Sequence, residues 1–555
     1  MRTCLFICIS FCGFMLGGVA AMEEGVETDR LSRHIEALSS DAFEGRGVSS
    51  KGEDLTVDYL VEAFRAAGLS PGGDMEEGRQ LWTQSVPMIR TSFNNSAPIS
   101  IELITGGHSQ MLMQGNEIAI QPSQTGAEFV DISKAPLVFL GYGVKAPERD
   151  WDDFKGIDLR GKVGIVFVND PDFETGQGDF GGKAMTYYGR WPYKYEEAAR
   201  QGALGLLIVH EDAPATYGWS TVKNSRTSDQ YDVVRSHPET TDTPLQGWIQ
   251  RDLAKQIFQA AGHDFDALKT VAQTREFRPI ELPGMSLSAR FSVQHQSITS
   301  KNVIGILRGS KKPEEYVVYS AHWDHLGIGK PNDQGDNIYN GAVDNGTGLA
   351  ALLEIARLQA KSSQTARSLV FLAPTAEEKG LLGSTYYTEH PPYPLAKTAA
   401  VFNFDALNVA GRSRDISPFG NGNVSLETNL AVYAKRIGRT FKPDPLPEAG
   451  LFFRSDHFPF AKVGVPALSL GFDAAPDLLE GGAAAGMAWH KEFVGKRYHQ
   501  PDDEWNPDWD LSGLAEDIGL ILQLSRDVAN SDDWPSWNEG SEFKAVRDTT
   551  AVERP

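Results

Sequence analysis

From Tyr316 onward one pattern repeats: a short apolar run closes on an acid or a histidine, and a helical periodicity follows. Val317-Val318-Tyr319-Ser320 leads to His322 and Asp324, Ser368 to Thr375 leads to Glu377 and Glu378, and Ala400-Val401-Phe402-Asn403-Phe404 closes on Asp405. Runs of this length read as buried strands, and strands alternating with helices restrict the chain to an α/β sandwich. In an open α/β sheet the chemistry gathers beyond the carboxyl ends of the strands. Two further segments carry the same residue types. Asp344 lies in Gly341-Ala342-Val343-Asp344-Asn345-Gly346-Thr347-Gly348, ahead of a stripe formed by Leu349, Leu352, Leu353 and Ala356, and His499 lies in Tyr498-His499-Gln500-Pro501.

Two histidines and three carboxylates suit zinc and its first-row neighbours, and they supply three protein ligands to each of two ions if one carboxylate bridges. Such a pair activates a shared water and stabilises both oxygens of a tetrahedral intermediate. One acid is left over. Successive side chains at a strand end point different ways, so of Glu377 and Glu378 one can ligate metal while the other faces the water as general base.

Ser320-Ala321-His322-Trp323-Asp324-His325, Gly341-Ala342-Val343-Asp344-Asn345, Ala376-Glu377-Glu378-Lys379-Gly380, Asn403-Phe404-Asp405 and Tyr498-His499-Gln500-Pro501 resemble the corresponding segments of the M28 family of co-catalytic zinc exopeptidases, which includes bacterial aminopeptidases and glutamate carboxypeptidases. The resemblance implies a three-layer α/β/α sandwich with a mixed central sheet and two Zn²⁺ ions per chain. It implies that Asp344 bridges the ions, that Glu378 and His499 complete one site, and that His322 and Asp405 complete the other. Glu377 is then the general base, Asp324 the carboxylate that fixes His322, and Tyr498 a donor to the developing oxyanion. His325, Asp456, His457 and His490 lie near these segments and are read as ordinary structural residues.

A chain of 555 residues exceeds one ordinary domain. Arg2, the apolar stretch Leu5 to Leu16 and the small residues Val19-Ala20-Ala21 read as an export signal over residues 1–21, with cleavage after Ala21 and a periplasmic or secreted destination. Cys4, Cys8 and Cys12 are the three cysteines of the chain, so the mature form is expected to hold no disulfide. No later apolar run approaches about 20 residues, so no membrane span is expected in the mature chain. The formal net charge of −22 argues against nucleic acid as a partner.

The segment from Gly52 to Gly68 reads as an opening helix ending at a glycine cap. Phe43-Glu44-Gly45-Arg46-Gly47 before it resembles a segment frequent in secreted members of the family. From Ala135, strand and helix patterns alternate through Leu137–Val144, Gly161–Val168, Glu196–Ala199 and Gly202–Val209. This stretch resembles the mostly-β protease-associated domain inserted in M28 peptidases. The expected division is therefore a discontinuous peptidase domain, 22–130 and 290–555, around an insert at 131–289. A long final helix is expected from Leu511 to Val528, followed by a polar, irregular tail docked by Trp534 and Trp537.

The reading these features favour is an aminopeptidase releasing N-terminal residues from peptides. The first alternative is a carboxypeptidase or dipeptidase on the same metals. Recognition of a free carboxylate calls for an arginine fork, which Arg454 or Arg497 could supply if neither is tied up in a structural ion pair. The remote alternative, a non-catalytic binding ectodomain, belongs to relatives that have lost the ligands, all of which this chain retains. Oligomeric state is not legible in the sequence.

Overall fold

The computed structural model describes residues 25–94, 98–420, 423–471 and 476–554. Residues 1–21, with the expected signal and all three cysteines, lie outside these described residues. Among the described residues no helix is long and apolar enough to cross a membrane.

The C-terminal half forms a mixed sheet. The strands Arg367–Ala373, Lys312–Ser320, Thr398–Asp405 and Ala467–Gly471 lie side by side in that order, all parallel. The end of the long strand Ile280–Leu307 pairs antiparallel with Arg367–Ala373, and Thr83–Phe93 pairs antiparallel beyond it. Because side chains alternate across a sheet, register decides what each face carries. Tyr319 lies opposite Phe371 on one side and Phe402 on the other, and its ring stacks 5.0 Å from Phe371 and 6.0 Å from Phe402. The Tyr319 hydroxyl donates to Ser525 Oγ on the final helix, Ser512–Asn530. The next row, Ser320, Asn403 and Ser469, faces the other way, where Asn403 Nδ2 donates to Ser455 Oγ at 2.7 Å.

The helix Gly348–Lys361 packs under the aromatic face together with Thr28–Leu38, Lys51–Ala67 and Ser512–Asn530, while Leu382–Glu389 and His457–Lys462 pack together on the opposite side. The result is the expected α/β/α arrangement. Gly348–Lys361 is buried nearly all round because it sits between the sheet and an outer layer of helices, which explains its continuous apolar sequence. Its one internal acid, Glu354, is matched by Arg357, whose Nε and Nη2 donate to it at 2.8 and 2.7 Å.

A second sheet unit precedes this body. Phe129–Phe139, Val163–Phe167, Gly205–His210 and Leu245–Gln250 are parallel neighbours, and Ile118–Ile120 adds an antiparallel edge. The strand Ile280–Leu307 runs through both sheets. Its first half pairs with Phe129–Phe139 and with Ser100–Thr105, which in turn pairs with His108–Leu112. Helices Trp191–Arg200, Trp219–Thr227 and Arg251–Ala260 cover this unit, so it is α/β in composition where mostly β was expected. The region after Ser92 supplies three short strands to it, Ser100–Thr105, His108–Leu112 and Ile118–Ile120.

The tail docks as expected at Trp537, which is buried and donates from Nε1 to the Gly464 carbonyl at 2.9 Å. It is less irregular than its composition indicates, since Lys544–Thr549 forms a helical turn and a half.

Candidate metal centre

The parallel strands deliver their carboxyl ends to one edge of the body, and the expected residues meet there. His322 follows the Lys312–Ser320 strand, Glu377 and Glu378 follow Arg367–Ala373, and Asp405 closes Thr398–Asp405. Asp344 comes from the irregular turn Ala342–Thr347 that leads into Gly348–Lys361, and His499 follows the helix Gly482–Lys496. The turn at Gly341 needs glycine: its φ is 57°, and an added Cβ would run into the Asp344 carbonyl oxygen and the His325 ring. Gly341→Ala is accordingly expected to displace Asp344 and weaken metal retention, read as a fall in the midpoint of a chelator titration.

His322 Nε2 lies 3.3 Å from Asp344 Oδ1 and 3.3 Å from Asp405 Oδ1. His499 Nε2 lies 3.2 Å from Asp344 Oδ2 and 3.2 Å from Glu378 Oε2. Asp344 thus presents one oxygen to each histidine. Glu377 Oε2 is 4.0 Å from His322 Nε2.

Burial opposes ionisation throughout this cluster, and the neighbours decide the outcome. The Glu377 carboxyl is pushed well up by burial, and by the charges of Asp405, Glu378 and Asp456, against the opposing pull of His322. Burial would also raise Glu378, but His499 and His325 hold it well below the ordinary range. Two adjacent glutamates therefore have opposite proton affinities.

The donor set fits divalent metal. Asp344 Oδ1 and Glu378 Oε1 are buried with imidazole nitrogens close by, yet neither is matched by a well-aligned hydrogen bond. Nitrogen and oxygen donors bound tetrahedrally at about 2.0–2.2 Å stand roughly 3.3–3.5 Å apart, close to the separations around His322 and His499. Two three-residue groups able to hold an ion are present among the described residues, His322–Asp344–Asp405 and His325–Asp344–Glu378, and both contain Asp344.

Asp324 touches both the His322 and the glutamate segments. Its backbone carbonyl, at 3.0 Å, is the group nearest His322 Nδ1, and its carboxylate is 3.8 Å away. The carboxylate also accepts from the backbone N–H groups of Glu377, at 2.9 Å, and Glu378, at 3.3 Å. It holds the turn that aims both glutamates. Tyr498 stacks on the His499 ring with centroids 3.9 Å apart.

Residues read as structural stand closer than expected. His325 is buried with Nδ1 2.7 Å from Glu378 Oε1, and Asp456 is buried beside the cluster with Oδ1 accepting from Ser384 Oγ at 2.6 Å. Asp503, not singled out from sequence, accepts from the N–H groups of Val343 and Asp344 at 3.0 and 3.1 Å. Arg46 is fully buried at φ 52°. Its guanidinium donates to the carbonyls of Trp323 (2.9 Å), Leu38 (2.8 Å), Asn340 (2.6 Å) and Gly341 (2.8 Å), clamping the His322 and Asp344 segments together. The neighbouring acids Asp344, Asp503, Asp324 and Glu378 keep it charged, although burial draws its pKa down to about 10. The only signal in the sequence was the Phe43–Gly47 resemblance. Removing Arg46 leaves four buried carbonyls without a donor, so Arg46→Met is expected to cost on the order of 3 kcal/mol or more, measured by denaturant unfolding.

Comparison with known proteins supports the same region. Residues 302–521 match the family model described as Peptidase family M28. A glutamate carboxypeptidase 2 homolog of Caenorhabditis elegans is 34% identical over 308 residues, 50% of this chain and 38% of that one. Aminopeptidase YwaD of Bacillus subtilis is 32% identical over 214 residues, 37% of this chain and 40% of that one. The chain thus spans less than half the length of either relative. Among solved structures, an aminopeptidase from Aneurinibacillus sp. strain AM-1 superposes with a TM-score of 0.47 at 18% identity, covering 91% of this chain and 94% of that one.

Proposed function

We propose, on the premise that the chain belongs to peptidase family M28 through residues 302–521, that it is an exported di-zinc exopeptidase, an aminopeptidase releasing N-terminal residues from peptides. The observation that carries this reading is Asp344, which offers one oxygen toward His322 and the other toward His499, with Glu377 standing outside the pair.

In this reading His322, Asp344 and Asp405 hold one ion, and Asp344, Glu378 and His499 hold the other. His499 is preferred to His325 for the second ion because its Nε2 faces both Asp344 and Glu378 at the spacing of two donors to one metal. The ions supply Lewis acidity and a water of lowered pKa. Glu377, whose surroundings raise its proton affinity, takes the proton of the attacking water and returns it to the leaving amine. Asp324 and Asp503 keep the glutamate pair and Asp344 in place through backbone N–H groups, and Tyr498 donates to the oxyanion as the carbonyl becomes tetrahedral. Export rests on the signal pattern in residues 1–21. We take the insert as a separate unit that restricts the cleft. The pairing of Ser100–Thr105 and Ile118–Ile120 within its sheet favours a start near Asn94 over residue 131.

Aminoacyl p-nitroanilides separate the readings. An aminopeptidase cleaves them and rejects their N-acetylated forms, since acetylation removes both the charge and the lone pair of the amine. Cleavage of N-acetylated peptides together with rejection of C-amidated ones makes the chain a carboxypeptidase. That second reading has one observation in its favour: Arg497 pairs with Glu492 at 2.8 Å, whereas Arg454 meets no acid among the described residues.

A further inference from the structure

The turn that carries the two glutamates has a second support besides Asp324. Ala376, immediately before Glu377, is fully buried at φ 54°, a left-handed conformation that an alanine keeps only where its surroundings impose it. Those surroundings are a small apolar cluster apart from the main core, made of the buried side chains Val86, Met88, Val233, Ala376 and Leu382. Val86 and Met88 belong to the strand Thr83–Phe93, and Leu382 opens the helix Leu382–Glu389 that follows the glutamates.

Val233 comes from the insert. The strand Gln230–Val233 lies in sequence between the helix Trp219–Thr227 and the strand Leu245–Gln250 of the second sheet unit, yet it pairs antiparallel with Thr83–Phe93, with Val233 opposite Met88. On either side of Val233 the same stretch meets the glutamate segment again. Lys379 Nζ, from the residue after Glu378, stands 5.7 Å over the Tyr231 ring. Arg235 donates from Nε and Nη2 to Glu389 Oε1 at 3.1 and 3.0 Å, and from Nη1 to Asp232 Oδ2 at 2.6 Å. The stretch from Tyr231 to Arg235 thus packs along one helix, from the glutamate turn at its start to Glu389 at its end.

We infer that Tyr231, Val233 and Arg235 are positioning residues for Glu377, so that the insert holds the glutamate turn from outside and the peptidase body does not fix its general base alone. The role of Glu377 rests on the peptidase reading; the hold on its turn does not. A general base works only within hydrogen-bond reach of its water, and a displacement of about 1 Å caused by a change away from the chemistry can cost on the order of 10²-fold in rate. None of the three residues belongs to the proposed ligand set, so loosening the stretch should lower kcat and leave KM and zinc content as they are.

The test is Val233→Ala in the zinc-loaded full chain, compared with Val166→Ala. Val166 is as deeply buried, loses the same atoms, and lies in a core of the second unit that includes no residue of the glutamate segment. Hydrogen exchange at the Glu377 and Glu378 amides, both bonded to Asp324, is expected to quicken at least about tenfold in Val233→Ala and to stay within about twofold of native in Val166→Ala. On the best substrate of the native chain, an aminoacyl p-nitroanilide or an N-acetylated peptide, kcat should fall at least about tenfold in Val233→Ala only, at unchanged KM and zinc content. Arg235→Gln, which leaves the apolar cluster whole, should move both readouts the same way and takes over as the test if Val233→Ala does not fold. Exchange or kcat in the Val233 variant matching that in the Val166 variant overturns the inference, as does loss of zinc in step with kcat. A native chain that hydrolyses neither kind of substrate sinks the peptidase reading, and the exchange rates still decide whether the insert holds the turn.

Discussion

Glu377→Gln is expected to lower kcat by at least about 10²–10⁴-fold while the protein keeps its fold and both metals. The amide has nearly the shape of the carboxyl but cannot accept the water's proton. Glu377 stands 4.0 Å from His322 and outside the paired spacings around Asp344, so its removal takes away no ligand of the proposed set. Glu378→Gln should behave oppositely. Its carboxylate faces His499 at 3.2 Å and is held ionised by His499 and His325, so the loss should appear first as weakened metal retention. Elemental analysis beside steady-state kinetics on both variants checks the division. Metal loss from the Glu377 variant with retention in the Glu378 variant would reverse the two roles.

Asp344→Ala should be the most damaging change to the metal centre. The native chain, purified without chelator, is expected to hold about two divalent ions per molecule, most of them zinc. Asp344 belongs to both groups of candidate ligands, and both of its oxygens are engaged. The substitution leaves each candidate group with two ligands and, in the co-catalytic reading, removes the negative charge proposed to lie between the two ions. The variant should retain less than one ion after dialysis and show no measurable activity, while Asp405→Ala, which touches one group only, should keep about one. Near-zero metal in the native chain, with activity indifferent to 1,10-phenanthroline, would sink the co-catalytic reading altogether.

Arg46 and Arg190 differ in what surrounds a buried guanidinium. Both guanidinia are buried and neither has a directly bonded carboxylate. Arg46 is saturated by backbone carbonyls and surrounded by acids, so it is part of the scaffold. Arg190 is left with one cation, Arg454, and the phenols Tyr217 and Tyr187 acting on it.

Much of the peptidase body was legible in the chain itself, because it depends on local regularities. Apolar runs mark strands buried on both faces, and the acid or histidine just past each one lands at the carboxyl edge of the sheet whatever the rest of the molecule does. That is why His322, Glu377, Glu378 and Asp405 could be picked out from order and residue type, whereas Asp344 and His499, which follow no strand, were marked by the resemblance of their segments. The supporting contacts were not legible, because they join segments far apart in sequence through backbone groups that every residue possesses. Asp503 reaches the N–H groups of the Asp344 turn, Asp324 holds the glutamate turn as well as lying beside His322, and Arg46 reaches across nearly 300 residues to two carbonyls beside Asp344. The start of the second unit was missed for the same reason. The strands after Ser92 are short and polar, and only their pairing with Ile280–Leu307 and Leu245–Gln250 makes them part of that sheet. Local pattern determined which groups stand at the edge of the sheet; tertiary packing decided which of them are held, charged and left without a partner.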